Sequence, residues 1–265
     1  PSALKGDNEM SNRKSLLTFY ETHGQEEYRL QEGSVHRIEF LTATKYFAEL
    51  FQPKSNILDN CAGTGAYAFY LAEQGHQVTA GDIVPFNVEI MQKKQAKQKR
   101  LQEIYLGDVL NLSRFANESF DVVLCMGAFY HLLTAKERRQ ALKENLRILK
   151  KGGLFIATYM NRYAVILGDM VGDLENLDEI LRFKQQGTED IFYASTPEEA
   201  ETFFLSEGLK QVKHIALDGM ALFLTETSKL LTPNGLKRWL TYHLKTCEEK
   251  SLLGSSYHGM WIGQK

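Results

Sequence analysis

Two carboxylates flanking a glycine turn carry the first chemical signal in this chain. The run 57–66 reads Ile-Leu-Asp-Asn-Cys-Ala-Gly-Thr-Gly-Ala, an apolar stretch that ends in Asp59 and turns through Gly63 and Gly65 into a helix beginning near Ala66. Glycine has no Cβ, so such a turn brings backbone N–H groups close to a ligand. The helix that follows aims its N-terminus at that ligand. With Asp82 closing the next apolar run, the arrangement reads as a nucleoside cofactor site.

The elements that must hold these residues alternate. Helices are predicted over 15–28 and 38–51, a strand over 56–61, a helix over 66–74 stopped by Gly75, and a strand over 77–82. Pro85 suits the first turn of a helix running to about Lys99. Strands at 103–107, 120–126 and 154–159 follow, with a strongly amphipathic helix over 136–149 before the last. Such β-α alternation implies a parallel sheet with helices on both faces. Ligands bind past the carboxyl ends of its strands, where Asp59, Asp82, Asp108 and the Met126-Gly127 turn fall.

Beyond Met160 the rhythm breaks. Residues 161–186 read as helical, Thr196-Pro-Glu-Glu199 opens a helix with a capping box, and strands are expected at 210–218 and 258–264. Helices are expected over 220–231 and 233–245.

Two cofactors fit the glycine turn. Gly63-Thr-Gly65-Ala-Tyr-Ala68 also satisfies a dinucleotide pattern. Asp59 before the glycines would repel a pyrophosphate but suits a cationic, zwitterionic ligand. A further acid, Asp108, ends the third strand, and the C-terminus lacks a sixth β-α repeat.

At these residues the chain resembles the class I S-adenosylmethionine-dependent methyltransferases. The likeness covers about 56–159 plus the terminal strands. It is carried by the glycine turn, by Ala80-Gly-Asp82-Ile-Val-Pro, Gly107-Asp-Val109, 120–131 (Phe-Asp-Val-Val-Leu-Cys-Met-Gly-Ala-Phe-Tyr-His) and 149–155 (Leu-Lys-Lys-Gly-Gly-Leu-Phe). Cys61 departs from the pattern, standing where the family has its first glycine. The resemblance implies an α/β, doubly wound Rossmann-like fold: a seven-stranded, mostly parallel sheet with an antiparallel last strand and helical cap insertions.

It also implies a cofactor, S-adenosyl-L-methionine, and a site. Asp82 would accept from both ribose hydroxyls. Asn60, Cys61, Ala62, Gly63 and Gly65 would form the backbone cradle beside Asp59, while Asp108 and the Val109 N–H would address the adenine next to Gly107. Ile83 and Met91 would pack on the nucleoside, and Met126 and Gly127 would border the methionine part. Asp108 as an N-cap and Met91 as plain core stay open. The segment from Tyr20 to Arg29 would close over the cofactor, with Arg29 pairing its carboxylate. His131 is the candidate general base and Tyr130 a substrate contact, although loop ordering by His131 is also open.

Organisation follows. Residues 1–9 read as an expression leader with Met10 the start, 10–52 as helices covering the cofactor site, 53–160 as the cofactor-binding core, and 161–265 as the rest of the sheet with cap segments near 161–196 and 220–256. The caps carry Tyr163, Phe183, Phe192, Tyr193, Phe223, Trp239 and Tyr242, the aromatic cover of a small-molecule pocket or a dimer interface. A net charge of −2 gives no global field toward nucleic acid, and the basic run 93–100 reads as a solvated helix end. Three dispersed cysteines argue for free thiols and against a metal cluster. No apolar run approaches the roughly 18 residues of a membrane span. The expectation is a cytoplasmic monomer or homodimer that methylates an O, N or S atom of a small-molecule methyl acceptor, with no metal, nucleic acid or membrane partner. The rivals are an NAD-dependent oxidoreductase and a non-catalytic S-adenosylmethionine-binding module.

Overall fold

Alternation along single strands decides the architecture. In β1 (Asn56–Asp59) Ile57 packs into one apolar cluster and its neighbour Leu58 into another. Both are fully buried, so this strand needs cover on both faces. The computed structural model, which describes residues 3–22, 30, 36–170, 176–221, 223 and 232–265, supplies it.

On the Ile57 face lie α2 (Arg37–Leu50), α3 (Ala66–Glu73) and α4 (Pro85–Lys97), through Phe40, Phe47, Tyr67, Leu71, Val88 and Met91. On the Leu58 face lie α5 (Ala135–Ile148) and α8 (Pro197–Ser206), through Ala141, Leu142, Ala200 and Phe204. Phe204 stacks on Trp261 with ring centroids 4.8 Å apart. Trp261 is therefore core. Phe155 and Phe204 are almost fully buried, each worth ~1.5–3 kcal/mol of transfer free energy.

The sheet runs β3 (Glu103–Leu106), β2 (Gln77–Asp82), β1, β4 (Phe120–Cys125), β5 (Leu149–Asn161), with parallel pairing throughout. β9 (His258–Gln264) pairs antiparallel with β5 and with β8 (Lys210–Ala216). The strand order reverses beside β1, so the crevice opens between the ends of β1 and β4.

Among the described residues nine strands form where seven were expected. The two additional ones are β6 (Thr188–Glu189) and β7 (Phe192–Ser195), an antiparallel hairpin turned at Asp190. β7 pairs with β5 at Met160 and Asn161, past the last β4–β5 pair, Cys125 with Ala157. The hairpin therefore stands above the carboxyl end of β4, over the crevice. The long helix expected over 161–186 is broken into α6 (Arg162–Val165), a π-turn (Ile166–Met170) and α7 (Leu177–Gln186).

α1 spans Ala3–Thr22, without a break at the expected leader boundary. Thr134 and Thr196 each cap their helix through a complete capping box, the first of which sequence reasoning did not assign. α9 (Pro233–Thr246) and the short α10 (Lys250–Leu253) complete the C-terminal part. Most of the helix expected over 220–231 lies outside the described residues. No helix among the described residues is long and apolar enough to cross a membrane.

Candidate active site

The turn after β1 is tied on every side. Asn60 N–H donates to Leu124 O and Ala62 N–H to Gly81 O, at 3.1 and 3.0 Å, which spans the loop between β4 and β2. Gly63 (φ 54°) donates its N–H to Asp82 Oδ2 at 2.8 Å. Gly65 takes φ 87° at the N-terminus of α3, where an added Cβ would lie 2.9 Å from the Phe69 ring and 3.0 Å from Met91. The two glycines thus divide the work. Gly63 faces the crevice, while Gly65 lets α3 settle on α4.

Above the turn is a cavity of about 970 Å³ including its mouth. Asn60, Cys61, Ala62, Gly63, Asp82 and Ile83 line one side, and Gly107, Asp108 and Val109 the far end. Met126, Gly127, Tyr130, His131 and Tyr20 line the near end. The charged side chains among its described lining are Asp82 and Asp108, with no Lys or Arg. Asp82 is 7% exposed; its Oδ1 accepts from Val84 N–H and Asn87 Nδ2, at 2.9 and 3.2 Å. The carboxylate is aimed by three donors before any ligand arrives. Asp108 accepts from Leu110 N–H at 2.9 Å, so the turn-capping role left open for it is real, and it also pairs with Arg13 of α1.

The near end is closed by the first helix. Tyr20 Oη lies 2.7 Å from His131 Nε2, and His131 Nδ1 lies 3.2 Å from Ile191 O in the β6–β7 turn. A carbonyl accepts only, so Nδ1 carries the proton, Nε2 takes the Tyr20 hydroxyl proton, and the ring is neutral. Burial depresses its pKa to about 4. Tyr193 N–H donates to Tyr130 O at 2.8 Å, so β7 also fixes the neighbouring residue. His131 thereby ties three segments together. Nε2, the nitrogen that the general-base expectation needs, holds the Tyr20 hydrogen bond here, and the ring does the loop ordering that was left open for it.

Asp59, Met91 and Gly65, expected at the cofactor, lie off the cavity lining. Asp59 is 1% exposed and lies beneath the turn, outside the cavity lining; burial and the nearby Asp82 push its carboxyl up to about 7. Its Oδ2 has no hydrogen-bond partner among the described residues. Met91 is fully buried core under Gly65, and Gly65 itself does not line the cavity. Arg29 lies outside the described residues; Arg13 is the cation that α1 brings to the site. Sequence reasoning missed Leu16, Leu30, Tyr67, Asn87 and Leu132 in the lining. Of these only Asn87, one turn into the helix after Asp82, left a local signal. Cys61 Sγ lies 4.0 Å from Cys125 Sγ; that contact and burial push the Cys61 thiol up.

A second cavity of about 1180 Å³ lies behind the first and shares Tyr20 and Tyr130 with it. Phe183 and Phe192 of the first expected cap line it, as does His258. Trp239 and Tyr242 of the other cap line a separate hollow. Tyr163 is exposed, and Tyr193 packs under the Arg138 guanidinium at 3.5 Å.

Residues 58–157 match a family described as a methyltransferase domain. A glycine/sarcosine N-methyltransferase of Aphanothece halophytica is 28% identical over 160 residues, 60% of this chain and 54% of that protein. A demethylmenaquinone methyltransferase of Leptospira interrogans is 33% identical over 111 residues, 40% of this chain and 43% of that protein. The chain spans about half the length of the curated relatives it matches. Among solved structures, a SAM-dependent methyltransferase of Methanosarcina mazei superposes with a TM-score of 0.57 at 18% identity, covering 83% of this chain and 96% of that one. The [4+2]-cyclase SpnF superposes at 0.52 with 17% identity, covering 86% and 80%. These likenesses establish the fold. The matched domain, the glycine turn joined to Asp82 and the strand order agree. Residues 58–157 are thus similar to a methyltransferase domain, and the chain shares the fold of an S-adenosylmethionine-dependent methyltransferase.

Proposed function

We propose that this chain transfers a methyl group from S-adenosyl-L-methionine to an O, N or S atom of a small molecule. One observation carries the reading: the described lining of the first cavity holds two carboxylates and no Lys or Arg. A pyrophosphate carries two negative charges and finds no Lys or Arg in that lining, while Arg13, outside it, is taken up by Asp108. A nucleoside bearing a sulfonium and hydroxyls finds acceptors instead. The arrangement fits the cofactor at both ends, since Asp82 is already aimed into the crevice and apolar Ile83 and Val109 stand between it and Asp108. When bound, S-adenosylmethionine supplies an activated methyl group on a positively charged sulfur.

The protein's share is then mainly placement. Holding an acceptor in line can be worth effective molarities on the order of 10⁵–10⁸ M. The second cavity, which shares Tyr20 and Tyr130 with the first, is the acceptor's place in this reading. α1 and the β6–β7 hairpin shut out water there. Tyr130 borders both the acceptor and the near end, and His131 borders the near end.

Parallel calorimetric titrations with S-adenosylhomocysteine and NADH, followed by labelled-methyl transfer over a panel of acceptors, test this. Binding of S-adenosylhomocysteine alone and label in a small molecule are expected. Binding of NADH alone overturns the reading. Binding without any transfer leaves a cofactor-binding module, a use of the fold for which the cyclase neighbour is the warning.

A further inference from the structure

The apolar face of α5 carries an amide. Ala141, Leu142, Asn145 and Ile148 form its buried side, and Asn145 is completely enclosed. Asparagine is a poor residue for a helix interior, and its amide is costly to bury unless both ends find partners. The partners here set a direction. Asn145 Nδ2 donates to Ala141 O at 2.7 Å, one turn back in the helix. A carbonyl only accepts, so Asn145 Oδ1 faces the other way, where it accepts from Asn60 Nδ2. That leaves Asn60 Oδ1 for the Cys61 thiol, which donates to it at 3.4 Å. A helix carbonyl thereby fixes the amide and the thiol hydrogen of two consecutive residues in the lining of the cofactor cavity. Those residues form a particular half of the glycine turn. Asn60 N–H donates to Leu124 O of β4, and a Cβ at Gly127 would lie 3.9 Å from Cys61 Cβ. Asp82 closes β2, on the opposite side of β1 from β4.

We propose that Asn145 is a positioning residue for the methionine part of S-adenosylmethionine, acting through the Asn60–Cys61 wall that its amide orients. The inference rests on the cofactor reading above and assigns one end of that ligand to the β4 side of the turn. With Asn145 in place, Asn60 and Cys61 present a single pattern of donors and acceptors to the ligand, which lowers the ordering cost of binding. Without the Asn145 carbonyl oxygen the Asn60 amide is free to turn over, and the thiol hydrogen with it. The nucleoside half of the site does not depend on this chain of bonds. Asp82 is aimed by the Gly63 and Val84 N–H groups and by Asn87 Nδ2. Loss of the Asn145 amide therefore acts on one end of the cofactor and spares the other.

The test is a pair of calorimetric titrations, with S-adenosylhomocysteine and with adenosine, into the wild type, Asn145→Leu and Asn145→Ala. Leucine fills the site without an amide, and alanine removes the amide without crowding it. Both variants are expected to lose about fivefold or more in S-adenosylhomocysteine affinity, while adenosine affinity stays within about twofold of the wild type. Adenosine lacks the methionine part, so its retained binding also reports that the cavity is intact. S-adenosylhomocysteine affinity unmoved in both variants overturns the inference. An equal fall for the two ligands also overturns it, because loosening of the whole site would act on both alike. Failure of S-adenosylhomocysteine to bind the wild type is a separate result that removes the cofactor reading beneath it.

Discussion

Tyr20 donates its phenolic proton to Nε2 of His131 across 2.7 Å, joining the first helix to the turn that follows β4. The two residues are 111 positions apart, and the contact closes the near end of the cofactor cavity. Their rings also meet edge to face at 5.4 Å. A latch of this kind makes α1, which carries Leu16, Tyr20 and Arg13 to the site, part of the binding surface.

Tyr20→Phe and His131→Leu should therefore each weaken S-adenosylhomocysteine binding by about three- to tenfold. Their combined effect should be less than additive, with a coupling of about 0.5–1.5 kcal/mol. A double-mutant cycle by calorimetry measures it. Strict additivity would separate the two residues.

The same ring sets an acid limit. Its folded pKa of about 4 lies below the ordinary histidine value of 6.5, so the neutral ring favours the folded state fully above 6.5. That contribution is lost as pH falls toward 4. The unfolding free energy of the wild type, read from denaturant titrations, should drop more steeply over this window than that of His131→Leu, by about 2–3 kcal/mol in total.

Asp59 works in the opposite sense. Its folded pKa of about 7 lies above that of a free carboxyl, so its contribution is complete in acid and fades as pH rises through 7. Asp59→Asn mimics the protonated form. At pH 8 the variant should be more stable than wild type by roughly 1–3 kcal/mol, and near pH 4 the two should agree. Urea unfolding at the two pH values checks the sign.

Gly65→Ala forces a Cβ onto a left-handed backbone and to within 2.9 Å of Phe69. A loss of about 1–3 kcal/mol is expected, from strain and from displacement of the Phe69 and Met91 side chains. Thermal melts read it. Gly75→Ala, where nothing lies within 4 Å of the added carbon, should show only the backbone part at its φ of 89°.

Asp82→Ala should weaken S-adenosylhomocysteine by about tenfold or more, because each charge-assisted hydrogen bond lost is worth ~1.5–3 kcal/mol. The variant also frees the Gly63 N–H that Asp82 now accepts. Asp82→Asn, which keeps an acceptor in place, should lose less.

What was legible in the sequence was local. The β2 and β9 bounds, the capped helix after Thr196 and the glycine turn follow from periodicity and from residues with one conformational preference. Asp82 was legible because a carboxylate closing a strand beside a glycine turn has little other use. The β6–β7 hairpin was missed because Thr188–Glu189 is too short to show a period, and because the apolar residues of 161–186 matched a helix. Gly168 within that run, and Asp190 before Ile191-Phe-Tyr, were the signals available. Asp59 and Met91 were assigned to the cavity from their place beside the motif. Which side of a buried strand end or helix faces the ligand is settled by packing from elsewhere in the chain. The His131 latch depends on two partners, Tyr20 and Ile191, that no local pattern links to it.

Solving the structure with S-adenosylhomocysteine bound tests the central claim most directly. Ribose hydroxyls on Asp82, the base between Ile83 and Val109, and the sulfur toward Tyr20 and Tyr130, which both cavities share, are expected. A ligand whose sugar sits away from Asp82, or whose sulfur points away from Tyr20 and Tyr130, would contradict it.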